Sequence, residues 1–273
     1  MSAEKPKHDY HLVDPSPWPI YVSFATLVLA FGAVYYFHSK ALWLLLIGFA
    51  LVVYGAFMWW RDVIEEAEHQ GHHTPVVQIG HRYGMTLFIA SEVMFFAAWF
   101  WAFFDVAFYP GDNSPELVGR IDSLGGVFPP QNVELIPPFG IPLLNTFILL
   151  ASGGTVTWAH HALRENDKKN FLLFLLLTII LGIIFTGFQA YEYQHATFSI
   201  DEGIYPSTFY MATGFHGAHV IIGTIFLIVC FFRSLKGINP KKHLGFEFAA
   251  WYWHFVDVVW LFLFTFVYWW ASI

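Results

Sequence analysis

Long apolar runs alternate with short polar breaks along this chain. Seven runs are long enough to cross a bilayer, over residues 17–37, 41–60, 80–109, 139–161, 170–194, 205–234 and 247–271. A helix needs roughly 20 mostly apolar residues to span about 30 Å of hydrocarbon. The third and sixth runs exceed that length and must tilt or protrude. A short polar turn from Arg164 to Lys169 makes the fourth and fifth spans antiparallel neighbours. The polar stretch from Arg61 to Gly80 separates the first two spans from the other five. The pattern predicts an all-α integral membrane protein with seven transmembrane helices. It forms a single membrane domain over 1–273, a two-helix unit at 17–60 beside a five-helix bundle at 80–271. The one sizeable extramembrane segment, 110–138, holds Pro110, Pro115, Pro129, Pro130 and Pro137 and reads as an irregular loop. There is no internal repeat and no low-complexity tract.

Composition sharpens this picture. The chain is 57% hydrophobic, 21% aromatic and 12% charged, where soluble domains carry about 25% charged residues. That excludes an ordinary soluble enzyme and a disordered chain. A net charge of −7 argues against a nucleic-acid partner, which wants a basic face. Cys230 stands alone, so neither an internal disulfide nor a cysteine metal cluster is possible. The basic residues set the orientation. Lys5, Lys7, Arg61, Arg82, Arg164, Lys168, Lys169, Arg233, Lys236, Lys241 and Lys242 fall on one side, and only Lys40 and Arg120 on the other. The N-terminus is therefore expected in the cytoplasm and the C-terminus opposite. The first apolar run is full length, with no cleavage site after it and no Arg-rich amphipathic arm before it. A bacterial inner membrane fits, and synthesis inside an organelle would leave the same signature.

Ionisable groups at membrane depth are functional candidates by default, because each costs several kcal/mol there. Glu92 lies in FIASEVMFFAAWF, about 18 Å into the third span at about 1.5 Å per residue. It is either a proton-linked or gating carboxyl or a neutral acid bonded to a facing helix. Asp257 follows His254 by three residues on one face of the last span. Such a pair fixes a tautomer, holds a metal-ligand histidine or clamps two helices, and a pair without a third ligand favours the clamp. His216 and His219 share the same spacing, which directs both toward one neighbour. Metal sites normally need three or four ligands, and Gly214, Gly217 and Gly223 permit close helix packing. Interhelical hydrogen bonds are the expected use of these histidines. His160 and His161 end the fourth span, His72 and His73 sit in a loop, and none forms a chelating motif such as HExxH. Glu192 and Asp105 lie near span ends and read as interfacial. No P-loop, GxGxxG turn or GxSxG elbow is present.

Trp59, Trp60 and Arg61 end the second span, and Arg233, Lys236 and His243 follow the sixth. Both ends are predicted on the cytoplasmic side, where cations meet lipid phosphates and tryptophans suit the interface. Glu65, Glu66 and His73 are close in sequence to the first cluster. A structural phospholipid between the two helical units competes here with simple snorkelling. Two other function classes compete as well. One is a membrane haem protein using His216, His219 or His254. The other is a proton-coupled transporter using Glu92 and Asp257, although no broken-helix pair is visible.

The motifs resemble subunit III of the aa3-type cytochrome c oxidases, in their alphaproteobacterial and mitochondrial form. The matching stretches are QGHHTP (70–75), RYGM (82–85), SEVMFF (91–96), LLNT (143–146), TWAHH (157–161), ATGFHGAHVIIGT (212–224), FLIVCFFR (226–233) and GFEFAAWYWHFVDVVWLFLF (245–264), with HDY (8–10) and PSPWP (15–19) at the N-terminus. The loop at 110–138 is longer and more acidic than its animal counterpart, and the first span carries little of the signature. The resemblance implies a non-redox accessory core subunit of the terminal respiratory oxidase, with no catalytic residue, haem or copper of its own. That enzyme passes electrons from cytochrome c to O2 and pumps protons. Its haem and copper lie in subunits I and II, the expected partners, subunit I being the main contact, and a respiratory supercomplex is a further possible association. The resemblance also implies a V-shaped, phospholipid-filled cleft between the first two helices and the other five. Trp59, Glu65, His73, Arg233, Lys236 and His243 fall where head-group contacts lie, and Glu92 matches the family's buried, carbodiimide-sensitive glutamate. The expected roles are stabilising subunit I, sustaining proton uptake and holding structural lipids on an O2 path.

Overall fold

The computed structural model describes residues 8–111, 124–131, 133–240 and 242–273. Lys5, Lys7, Arg120 and Lys241 of the charge pattern, and residues 112–123 and 132 of the long loop, lie outside these described residues. Seven membrane-length helices follow in order, with no strand among the described residues. They are α1 (Trp18–Ser39), α2 (Trp43–Glu68), α3 (Pro75–Phe108), α4 (Ile141–Arg164), α5 (Lys168–His195), α6 (Ile204–Lys236) and α7 (Leu244–Phe262). The last helix continues as a π-helical segment, Leu263–Trp269, and a final 3-10 turn, Trp270–Ser272. Helix is the expected form, because hydrocarbon offers no partner to an unpaired backbone group and a helix pairs them all within one segment.

The helices overrun the apolar pattern most at one place. α2 continues through RDVIEEAE to Glu68, and α3 begins at Pro75. The expected loop from Arg61 to Gly80 therefore shrinks to residues 69–74. Apolarity marks where a helix meets lipid. Where it ends is set by helix-forming residues such as Glu and Ala, and by Pro75, whose missing N–H costs nothing in the first turn.

The chain divides into two compact units, Met1–Gly84 and Met85–Ile273. In the first, α1 and α2 pack along their lengths as a hairpin. The arm before α1 joins the α2–α3 loop, where the Thr74 hydroxyl donates to the Asp9 carbonyl over 2.6 Å. In the second unit, α4 packs on α5, α5 on α6, α6 on α7 and α7 on α4, which closes a four-helix bundle. Met85–Phe108 of α3 joins it through side-chain rings, with Phe95 and Trp99 4.9 and 5.2 Å from Phe215 and Phe103 6.3 Å from Tyr205. The bundle core is aromatic, with Trp253, Trp260, Tyr268, Phe171, Phe185 and Phe209 fully buried.

Candidate functional site

Glu92 on α3 and His219 on α6 meet within the second unit. His219 Nε2 lies 2.8 Å from Glu92 Oε2. The opposite ring nitrogen, Nδ1, donates to the Phe215 carbonyl over 2.6 Å, since a carbonyl only accepts. With Nδ1 carrying a proton, the short Nε2–Oε2 contact needs a second one. The pair therefore shares a proton, either as neutral acid and neutral imidazole or as carboxylate and imidazolium. Phe96 packs 4.9 Å from the imidazole and Tyr252 stacks 6.2 Å away. Apolar surroundings strengthen such a bond by excluding competing water.

His216 and His219 do not face one neighbour. The His216 Nε2 donates 3.2 Å to the Val256 carbonyl of α7, with its fully buried ring between Phe185 and Trp260. Three residues turn a helix by about 300°, so the two side chains diverge by about 60°. In a closely packed bundle that is enough to send one to α7 and the other to α3.

His254 and Asp257 also separate. Their nearest N and O atoms are 3.9 Å apart, too far for a hydrogen bond. Each side chain reaches α4 on its own. Thr157 Oγ1 donates to the Gly153 carbonyl over 2.9 Å, so it accepts from His254 Nε2 over 3.2 Å. The Asp257 carboxyl is seated directly on Gly153, where any Cβ would collide with its Oδ2. The α4–α7 seam has two further rungs that sequence reading missed. Trp253 Nε1 donates to Ser152 Oγ and Trp260 Nε1 to Thr146 Oγ1, each over 2.9 Å. The visible signal was two tryptophans seven residues apart, each needing an acceptor once buried.

The six residues expected at a lipid head group fall into two sets of three. Trp59, Glu65 and His73 belong to the first unit, and Arg233, Lys236 and His243 to the second. Trp59 is partly exposed, and Glu65 pairs with His69 over 3.0 Å. The His73 ring packs, tilted, 4.7 Å from that of His81. Burial, then the neighbouring His81, His11 and His72, push the His73 pKa below the usual imidazole value. Arg233 and Lys236 occupy the last turn of α6, where cations favour the helix dipole. The Arg233 guanidinium lies against Gly245. His243 precedes α7, and its Nε2 lies 3.1 Å from that of His160, a partner the sequence did not name.

Glu192 corrects the sequence reading. Expected at the interface, it is 3% exposed. Its Oε1 accepts from Tyr268 Oη over 2.7 Å and from Gln189 Nε2 over 3.0 Å. The signal available was the polar i, i+3 pair Gln189 and Glu192 near the end of a long apolar run. Among the described residues, no three His, Cys, Asp or Glu side chains converge as metal ligands.

The family model for cytochrome c oxidase subunit III matches residues 8–272. The chain is 52% identical over 273 residues to the cytochrome c oxidase subunit 3 of Arabidopsis thaliana, covering 99% of both chains. It is 53% identical over 273 residues to that of Triticum aestivum, again covering 99% of both. It is 53% identical over 266 residues to that of Bos taurus, covering 97% of this chain and 98% of the relative.

Proposed function

Because the chain belongs to the cytochrome c oxidase subunit III family, and is thus an accessory subunit of that oxidoreductase complex with subunits I and II as partners, we propose that it works as a brace with no catalytic centre of its own. The observation that carries this reading is how the membrane-depth histidines are used. His216, His219 and His254 each spend at least one ring nitrogen on a bond to another helix. Those bonds tie α3, α4, α6 and α7 together, and a rigid bundle is what a supporting subunit needs. Haem and copper then belong to the partner subunits.

Three finer roles accompany the bracing. The chain covers subunit I and sustains proton uptake at its cytoplasmic side. It sits in a bacterial inner membrane with the N-terminus cytoplasmic and the C-terminus periplasmic, an orientation that fits the distribution of its basic residues. It binds phospholipid, with Arg233 and Lys236 suited to a phosphate at one helix end and Trp59 to an interface at another. Within the second unit an apolar groove of about 720 Å³ runs between α3 and α7, lined by Phe96, Phe100, Phe104, Phe255, Phe262 and Phe266 among others. Acyl chains suit such a lining, and oxygen partitions into apolar phases, so the groove supports the idea of an O2 path through lipid.

Detergent stripping of this chain from the purified oxidase tests the brace. Haem and copper should stay with the remaining subunits, and the stripped enzyme should lose activity after fewer turnovers. Haem that travels with the stripped chain would return the histidines to the role of ligands and end the proposal.

A further inference from the structure

Four buried polar atoms lie near the start of α4 and the end of α5. Asn145 Oδ1 and Nδ2, Gln189 Oε1 and Glu192 Oε2 have no hydrogen-bond partner among the described residues. Their side chains are nearly sealed off, with Asn145 0%, Gln189 5% and Glu192 3% exposed. Register brings them to one level. Thr155 of α4 and Thr178 of α5 share a 2.8 Å hydrogen bond across the antiparallel pair. Asn145 lies ten residues before Thr155, and Gln189 eleven after Thr178. At about 1.5 Å per residue their heights agree to about 1.5 Å. Eleven residues also bring Gln189 back to within about 20° of the direction in which Thr178 meets α4. Asn145 continues the buried stripe of Leu149, Ser152 and Val156. The third wall is Tyr268, whose hydroxyl donates to Glu192 Oε1 from the π-helical segment.

We propose that this is a binding site for ordered water, shared by Asn145, Gln189 and Glu192. The mixture of atoms selects the ligand. Asn145 contributes an N–H donor beside its own oxygen, whichever way its amide is turned. Gln189 Oε1 is an unpaired acceptor at the same level. A hard cation would satisfy the oxygens, but it would be repelled by the amide N–H groups. Water both donates and accepts, and buried waters characteristically hold about two to four such groups. The bound water joins α4 to α5 and, through Glu192, to the π-helical end of α7.

Thermal unfolding of the purified oxidase carrying Asn145→Ala or Asn145→Leu tests the site. With water bound, alanine leaves room for a replacement water beside Gln189 and Glu192, whereas leucine expels the site's water. The expected order of midpoints is unsubstituted, then alanine, then leucine. A dry site gives another order, because leucine would fill space and remove two unpaired atoms. Leucine matching or exceeding the unsubstituted enzyme, with alanine lowest, overturns the proposal. So does a loss of midpoint on removal of alkali and alkaline-earth cations that the unsubstituted oxidase shows and the Asn145→Leu enzyme does not. If neither variant assembles, a high-resolution density map of the unsubstituted oxidase decides. A density peak within hydrogen-bond distance of both Asn145 and Gln189 supports water, and none there overturns it.

Discussion

The α1–α2 hairpin and the α4–α7 bundle solve the same physical problem in opposite ways. Lipid tails are as apolar as leucine, so helices in a bilayer gain little from hiding apolar surface from one another. The hairpin relies on closeness. α1 buries only Ala25 and Gly32, and α2 only Gly48 and Gly55. A Cβ on Gly32 would stand 2.7 Å from Leu45 Cα, and one on Gly48 2.5 Å from Leu29 Cα, so the two backbones touch where side chains would block them. The bundle relies on bulk and direction. α7 alone buries Phe246, Tyr252, Trp253, Phe255 and Trp260, and these two tryptophans are hooked to α4 hydroxyls. Small residues suffice where two helices pair along their lengths. Large rings with polar anchors fill the wider space among four.

The largest effect should come from removing a bundle anchor. Trp253→Ala deletes a fully buried ring and the hydrogen bond it donates to Ser152 Oγ. A cost of about 3–5 kcal/mol is expected, enough to lower the unfolding midpoint of the oxidase sharply or prevent the subunit from assembling. A near-normal midpoint would mean that the bundle does not depend on its aromatic core. Gly48→Leu is the matching change in the hairpin and should cost about 1–3 kcal/mol by overpacking. Its signature is regional. Amide hydrogen exchange should speed up in α1 and α2 while α4–α7 keep their protection. Exchange that rises equally in both regions would erase the contrast between them.

This contrast was only partly legible in the sequence. The seven helices were, because about 20 apolar residues leave few alternatives. The ends of α2 and α3 were not, since Glu65, Glu66 and Glu68 favour helix as readily as the apolar run before them. Glu92, His216, His219, His254 and Asp257 were all singled out, because charge and imidazole are rare at membrane depth. Their partners were hidden. Periodicity tells which face a residue occupies, but Glu92 and His219 are 127 residues apart, and nothing local encodes that meeting. Glu192 was misplaced for a related reason. Nearness to the end of an apolar run suggests an interface, and the π-helical continuation of α7 that brings Tyr268 to it leaves no periodic trace.

Glu92→Gln sharpens the comparison at smaller scale. The carboxamide keeps the shape, and its N–H can donate to His219 Nε2 in place of the shared proton. Replacing the short shared-proton bond with an ordinary neutral one should cost about 1 kcal/mol. If the pair is a strut between α3 and α6, proton pumping by the assembled enzyme stays intact. A large loss of pumping with full metal content would make Glu92 part of a proton path instead.

The smallest effect belongs to the turn that leads from α4 into α5. Asp167 caps α5, accepting from the Asn170 backbone N–H over 3.0 Å and from its side-chain amide over 2.6 Å. These bonds, the backbone one first, hold its pKa below the ordinary carboxylate value. A carboxyl held down in the folded state contributes stability that is present above its unfolded pKa. That contribution is lost as pH falls through the folded value. Asp167→Ala should therefore lower the unfolding midpoint slightly at neutral pH, and the deficit should close on acidification. Asp167→Asn keeps a good cap without the charge, so it should retain most of the neutral-pH midpoint while flattening the pH dependence. Midpoints of the three proteins across that range separate hydrogen bonding from charge. A deficit in Asp167→Ala that stays constant down to acid pH would assign the cap to geometry alone.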